Sequence, residues 1–283
     1  MKILILGVGL VGSALATQLR AAGHTVVGTT TTPGKVDALS AICDEVHVLK
    51  GSDRDAVAAA ASGCEVVVVT AGPNAQRSMT PEERAETYRT ILVDTATAVS
   101  AAVSPGTQVI ALSSLSVYGT AADHLATVTE QAPTTDSTDP SPANFLRMER
   151  TYLEALGEHA CIFRCADIFG GEDPPIEAKV EMAHKYMGGS VPFRADALFY
   201  RVAVDDVLGA ITHAIDQNLT GVFNLTHAEV PSTNADVFDT ISEKLGKPAF
   251  VYRGEIQAPS APISVQRLAD TGFTTAHTAA AHA

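Results

Sequence analysis

The chain has 283 residues, 46% of them hydrophobic and 18% charged, enough to bury one large core with a smaller lobe beside it. A formal net charge of −13 argues against a nucleic-acid partner, which would need clustered Lys and Arg. Apolar runs such as Ile3 to Leu6 and Val66 to Val69 fall far short of the roughly 20 residues of a membrane span, so no membrane partner is expected. Cys43, Cys64, Cys161 and Cys165 lack metal-site spacing, and the nine histidines are scattered, so no metal is expected and the thiols read as buried. Met1-Lys2 runs directly into an apolar strand, leaving no room for a leader, and the expected location is the cytoplasm.

Short β-branched runs then alternate with helical stretches. Strands are predicted at Lys2 to Leu6, Thr25 to Thr29, Glu45 to Leu49, Glu65 to Thr70 and Gln108 to Leu112. Helices are predicted at Leu10 to Ala22, Lys35 to Ile42, Arg54 to Ala61 and Pro81 to Val103. Continuous apolar strands separated by helices give an α/β fold, a doubly wound (Rossmann), mostly parallel sheet. Thr127 to Pro142, rich in Thr, Asp, Ser and Pro, reads as a loop, before a helix at Phe145 to Gly157 and a strand at Ala160 to Arg164. The expected organisation is a dinucleotide-binding domain over 1–170, to which 200–228 return. A small substrate lobe is expected from 171–199 and 229–275, with a frayed tail over 276–283.

Gly7-Val8-Gly9-Leu10-Val11-Gly12 follows the first strand and opens the first helix. In that place Gly7 permits the tight turn, Gly9 lets backbone approach a pyrophosphate, and Gly12 allows close packing of helix on sheet, while the helix N-terminus supplies N–H groups. The expected cofactor is therefore NAD or NADP. Gly7, Gly9, Leu10, Val11 and Gly12 are candidate binding residues, joined by Thr70, Ala71 and Gly72 after the fourth strand. An NAD-preferring site usually places Asp or Glu at the end of the second strand. Here Thr29, Thr30, Thr31 and Thr32 stand there, with Lys35 nearby, and this favours NADP.

Two further segments carry a family resemblance: Ser113-Ser114-Leu115-Ser116-Val117-Tyr118-Gly119, and Arg201-Val202-Ala203-Val204-Asp205-Asp206. With the glycine loop, Gly221 to Leu225 and Arg267 to Phe273, they make the sequence resemble the extended short-chain dehydrogenase/reductase superfamily. That group comprises NAD-dependent epimerases and dehydratases, mostly acting on nucleotide sugars. Ala203 stands where the family usually has histidine. The resemblance places Ser114 at the active-site Ser/Thr position, which hydrogen-bonds the reacting substrate oxygen, and Ser113 beside the cofactor. It implies a small-molecule substrate and a homodimer paired through the Pro81 to Val103 helix and the helix after Pro142.

The family's Tyr-x-x-x-Lys pair is missing. No lysine lies between Lys50 and Lys179, and the corresponding stretch reads Ser141-Pro142-Ala143-Asn144-Phe145-Leu146-Arg147-Met148-Glu149-Arg150. In the usual chemistry the ammonium lowers the tyrosine pKa so that the phenol shuttles a proton. Arg147 or Arg150 can supply charge but are poor proton carriers. The leading reading is an atypical NAD(P)-dependent oxidoreductase or epimerase, with Ser114 assisted by Tyr200, His184 or water. The alternative is a non-catalytic NADP(H)-binding redox sensor. Asp205 and Asp206 read as helix-capping acids, and Arg164 as either a phosphate ligand or an internal partner.

Overall fold

The computed structural model describes residues 1–73 and 80–278. The elements are, in order, β1 (Lys2–Leu6), α1 (Leu10–Ala21), β2 (Thr25–Thr30), α2 (Val36–Ser40), β3 (Glu45–Val48), α3 (Arg54–Ala61), β4 (Val66–Val69) and α4 (Pro81–Tyr88). A π-helical stretch, Arg89–Asp94, links α4 to α5 (Thr95–Ala102), and β5 (Gln108–Ser114) and α6 (Pro140–Leu156) follow. The remainder comprises β6 (Ala160–Cys165), β7 (Asp167–Phe169), α7 (Ile176–Met187), β8 (Ser190–Phe193), β9 (Arg201–Ala203), α8 (Val204–Asp216), β10 (Gly221–Leu225), α9 (Asn234–Lys244), β11 (Val251–Ile256) and α10 (Gln266–Ala269).

Seven strands form a parallel sheet in the order β10-β6-β5-β4-β1-β2-β3, the doubly wound α/β architecture. The direction of winding reverses between β1 and β4, so the carboxyl ends of these strands mark the crevice where such sheets bind ligands. Ile3, Leu4 and Ile5 of β1, and Val67 and Val68 of β4, are fully buried, as strands covered on both faces must be. Each such side chain contributes about 1.5–3 kcal/mol by leaving water. Helix α1 buries Val11, Leu15, Ala16 and Leu19, the apolar stripe that seats it.

The chain divides into two compact units. The first is Met1–Ser113, Thr138–Phe163 and Leu208–Val222; the second is Ser114–Ser137, Arg164–Val207 and Phe223–Ala283. Beyond the expected 171–199 and 229–275, the second unit takes in Ser114–Ser137, 164–170 and the tail, together with 200–207 and 223–228, which the sequence reading assigns to the dinucleotide-binding domain. It contains two small parallel pairs, β7 with β9 and β8 with β11. An aromatic cluster of Phe238, Phe250, Phe193 and Phe199 packs with Ile176, Val180 and Ile241.

Three differences from the sequence expectation have local causes. Helix α6 starts at Pro140, inside the expected loop, because Asp139 caps it through Ser141 N–H at 2.8 Å and Pro140 suits the first helical position. Arg84 fixes that cap with a two-pronged contact to Asp139, at 2.9 and 3.2 Å. The Pro81 to Val103 helix carries the π stretch, where Arg89 bridges Glu86 and Asp94. At the expected frayed tail, Ala276 and His277 donate backbone N–H groups to the buried Asp206 carboxylate at 2.7 and 3.2 Å. Residues 279–283 of that tail lie outside the described residues. Among the described residues no helix is long and apolar enough to cross a membrane.

Candidate functional site

In the first unit, the loop after β1 is held in shape by its neighbours. Gly7 has φ +99, a backbone region side chains rarely adopt, and a Cβ there would come within 2.7 Å of Ala71. Two threonine hydroxyls clamp its peptide groups. Thr29 Oγ1 at the end of β2 accepts from Gly7 N–H at 2.9 Å, and Thr70 Oγ1 after β4 donates to Gly7 C=O at 2.7 Å. Val8 N–H is bound by Thr29 C=O at 2.9 Å. A Cβ on Gly12 would meet Gly7 O at 2.7 Å and Thr70 Oγ1 at 2.9 Å, so this glycine lets α1 close onto the turn.

Gly9 is different: a Cβ built on it meets nothing within 4 Å. Internal packing therefore does not require a glycine here, whereas an approaching ligand would. Gly9 caps α1 without any side-chain bond, leaving the first-turn N–H groups beside it as donors for an anion. Leu10 is 41% exposed at this opening, while Val11 is buried. These features fit a dinucleotide pyrophosphate. Thr29 is buried, and by accepting from Gly7 N–H its hydroxyl helps to shape the loop. Thr30 is also buried, its Oγ1 accepting from Thr32 N–H at 3.1 Å. Thr31 and Lys35 are exposed, Thr70 and Ala71 half-buried, and Gly72 exposed.

At the end of β5, Ser113 Oγ donates to the Glu149 carboxylate of α6 at 2.5 Å, and both residues are buried. Arg147 and Arg150 flank this glutamate on the exposed side of the helix, whereas Asn144, Met148, Glu149 and Tyr152 face inward. Burial with no hydrogen-bond partner raises the Tyr152 pKa, so that phenol keeps its proton. Glu149 escaped sequence reasoning. Its signal was a charged residue on the inward face of a helix otherwise burying Asn144, Met148 and Tyr152, legible only once the helix start is set at Pro140.

In the second unit, Ser114 is half-buried and caps a short 3₁₀ turn, Leu115–Tyr118, its Oγ accepting from Ser116 N–H at 3.1 Å. Tyr118 is fully buried and its O–H donates to Asn224 Oδ1 at 2.7 Å. Arg164 donates to the same phenol oxygen at 2.9 Å and to Glu130 C=O at 3.2 Å, so the internal alternative for this arginine is the one realised. Tyr200 is buried, its hydroxyl accepts from Ile263 N–H at 2.9 Å, and burial pushes its pKa up. His184, half-buried, stacks on Phe250 at 4.2 Å with Nε2 2.8 Å from Ser242 Oγ, which ties it to the edge of the aromatic cluster. Asp205 is exposed, while Asp206 holds Ala276 and His277. All four cysteines are free, buried thiols.

A doubly wound parallel sheet whose first strand ends in a clamped glycine loop, opening a helix with uncapped N–H groups, defines a dinucleotide-binding α/β protein. The chain belongs to the NAD dependent epimerase/dehydratase family, whose profile matches residues 3–226. No match is found among curated proteins. Among solved structures, the fold is similar to UDP-glucuronic acid 4-epimerase from Bacillus cereus in complex with UDP-glucuronic acid and NAD. The identity is 18% and the TM-score 0.76, covering 100% of this chain and 96% of that one. It is also similar to UDP-glucose 4-epimerase from Thermotoga maritima with UDP-glucose, at 19% identity, TM-score 0.73 and coverage of 98% and 94%. A short-chain dehydrogenase/reductase superfamily protein from Agrobacterium tumefaciens with bound NAD matches at 20% identity, TM-score 0.71 and coverage of 99% and 94%. At these identities the likeness is one of fold.

Proposed function

We propose that the protein is an NAD(P)-dependent oxidoreductase or epimerase, acting at a carbonyl or hydroxyl carbon of a small organic or nucleotide-sugar substrate. The observation that carries this reading is the preformed loop: Gly7 clamped by Thr29 and Thr70, with Gly9 open where a pyrophosphate would lie. Bound there, the nicotinamide supplies a hydride acceptor or donor. Ser114 binds the substrate oxygen, and proton transfer at that oxygen passes through its hydroxyl and water. Tyr200, buried and tied to Ile263, keeps the site's frame and is not the acid. Ser113, fixed by Glu149, lines the nicotinamide end of β5.

NADP is the preferred cofactor in this reading, because no carboxylate ends β2 and the exposed Thr31 and Lys35 are free to meet a 2′-phosphate. The protein is placed in the cytoplasm and acts as a homodimer through α4, α5 and α6. The second reading, a redox sensor, draws on α6, which offers neither an accessible tyrosine nor a lysine. A substrate screen under saturating NADP and NAD separates the two. Turnover that falls about 100-fold or more in Ser114→Ala, with cofactor affinity unchanged, supports the enzyme. Tight cofactor binding with no turnover on any carbonyl, alcohol or nucleotide sugar supports the sensor. Lys35→Ala is expected to weaken NADPH binding and leave NADH binding unchanged.

A further inference from the structure

One guanidinium in the second unit is not satisfied by its surroundings. Arg201 is 4% exposed, yet its Nε has no hydrogen-bond partner among the described residues. The nearest carboxylate oxygens, on Asp167 and Asp173, stand off at 3.6 and 3.8 Å. Asp173 is committed elsewhere, accepting from Lys179 Nζ at 2.7 Å. The faces of the guanidinium are covered by aromatic rings, Phe169 at 4.3 Å and Phe199 at 5.7 Å. Stacking of this kind fixes the plane and leaves the edge to make contacts.

Local structure explains how these groups come together. β7 and β9 pair in parallel, with Asp167 directly opposite Arg201. The turn that follows β7 brings back Asp173, whose N–H bonds Gly170 C=O, and the first turn of α7 carries Lys179. A buried guanidinium has five N–H donors and is costly to leave unmatched. The side chain of Asp167 keeps 53% of its surface open, yet desolvation by surrounding protein raises its pKa. The Asp167 carboxylate, open to solvent, stands 3.6 Å from Arg201 Nε, so an anion reaches the guanidinium edge along this carboxylate.

Two cations, Arg201 and Lys179, here face two carboxylates, Asp167 and Asp173, so the cluster is balanced. A planar anion of single charge matches the fork of Arg201 edge to edge and has to displace only the long contacts to Asp167 and Asp173. A diphosphate would bring at least two negative charges against both aspartates. We propose that Arg201 anchors a subsite for the carboxylate of a small monocarboxylic substrate. This names a substrate class for the enzyme of the preceding section and rests on that reading for turnover, though binding at the subsite is measurable without it.

The test is calorimetric titration of the full chain with sodium pyruvate, sodium acetate and UDP, on wild type, Arg201→Gln, Arg201→Lys and Asp167→Asn. NADPH and NADH titrations run in parallel. The expected result is that pyruvate or acetate binds the wild type more tightly than UDP and binds Arg201→Gln about 10- to 100-fold more weakly, the span of one charge-assisted pair. Arg201→Lys, which keeps the charge without the fork, should recover part of the loss. Asp167→Asn should bind the carboxylate more tightly than wild type, a gain that misfolding cannot produce. Failure of both carboxylates to bind, binding indifferent to Arg201 and Asp167, or tighter Arg201-dependent binding of UDP would each overturn the proposal. Loss of nucleotide binding alone, with carboxylate binding intact, would overturn the cofactor reading and leave this subsite standing.

Discussion

In the first unit the candidate site is held by backbone: a glycine at φ +99, a helix start, and two threonine hydroxyls gripping the peptide groups of Gly7. In the second, several buried polar side chains sit in networks whose members come from distant segments. Tyr118, Arg164 and Asn224 share one set of hydrogen bonds, and Arg194 joins Asp123 to Asp196. The contrast teaches that the nucleotide half tolerates change in side chains other than the two clamping threonines as long as its turn is preserved. The lobe half can change its ligand by exchanging single polar residues, and its stability depends on every network being complete.

The sharpest way to break this comparison is Gly7→Ala. The new Cβ meets Ala71 backbone at 2.7 Å on a backbone with positive φ, and a loss of about 3 kcal/mol in chemical denaturation is expected, together with nucleotide binding. Tyr118→Phe tests the second unit. It strands Asn224 Oδ1 and one Arg164 N–H in the interior and should cost about 2 kcal/mol by the same assay, leaving NADH and NADPH affinity unchanged.

Asp123→Asn should cost about 1 kcal/mol at pH 7. Burial raises the Asp123 pKa, but the Ser260 N–H and Arg194 together outweigh it and the net shift is downward. A carboxyl with a lowered folded-state pKa stabilises fully above its ordinary range and loses that contribution as pH falls through the folded value. The gap between wild type and Asp123→Asn should therefore close in acid, and a gap that widened there would contradict the assignment. Thr29→Val is the mildest. It leaves Gly7 N–H without its acceptor and should weaken dinucleotide binding about fivefold, with little change in global stability.

The same contrast explains what was legible in the sequence. β1, α3 and the glycine loop announce themselves through apolar runs and glycine spacing, because their form follows from local periodicity. The early start of α6 was hidden behind Pro140 and Pro142, which read as breakers but occupy the first turn, where proline is tolerated. The π stretch Arg89–Asp94 leaves no compositional mark. Thr29 was singled out for its position, yet its role depends on which way its hydroxyl turns, and only the fold decides that. Glu149 and Arg201 were invisible as site residues because burial of a charge is a tertiary fact. Their partners, Ser113 for one and Asp167 and Asp173 for the other, come from separate elements.

The central claim is that the clamped loop holds a dinucleotide, and titration of the wild type and Gly9→Glu with NADPH, NADH, NADP and NAD tests it most directly. Because nothing lies within 4 Å of a Cβ at Gly9, the variant should fold normally and still lose binding of all four, its carboxylate occupying the place of the pyrophosphate. Equal binding by a folded Gly9→Glu, or no binding of any of the four by the wild type, would contradict the account.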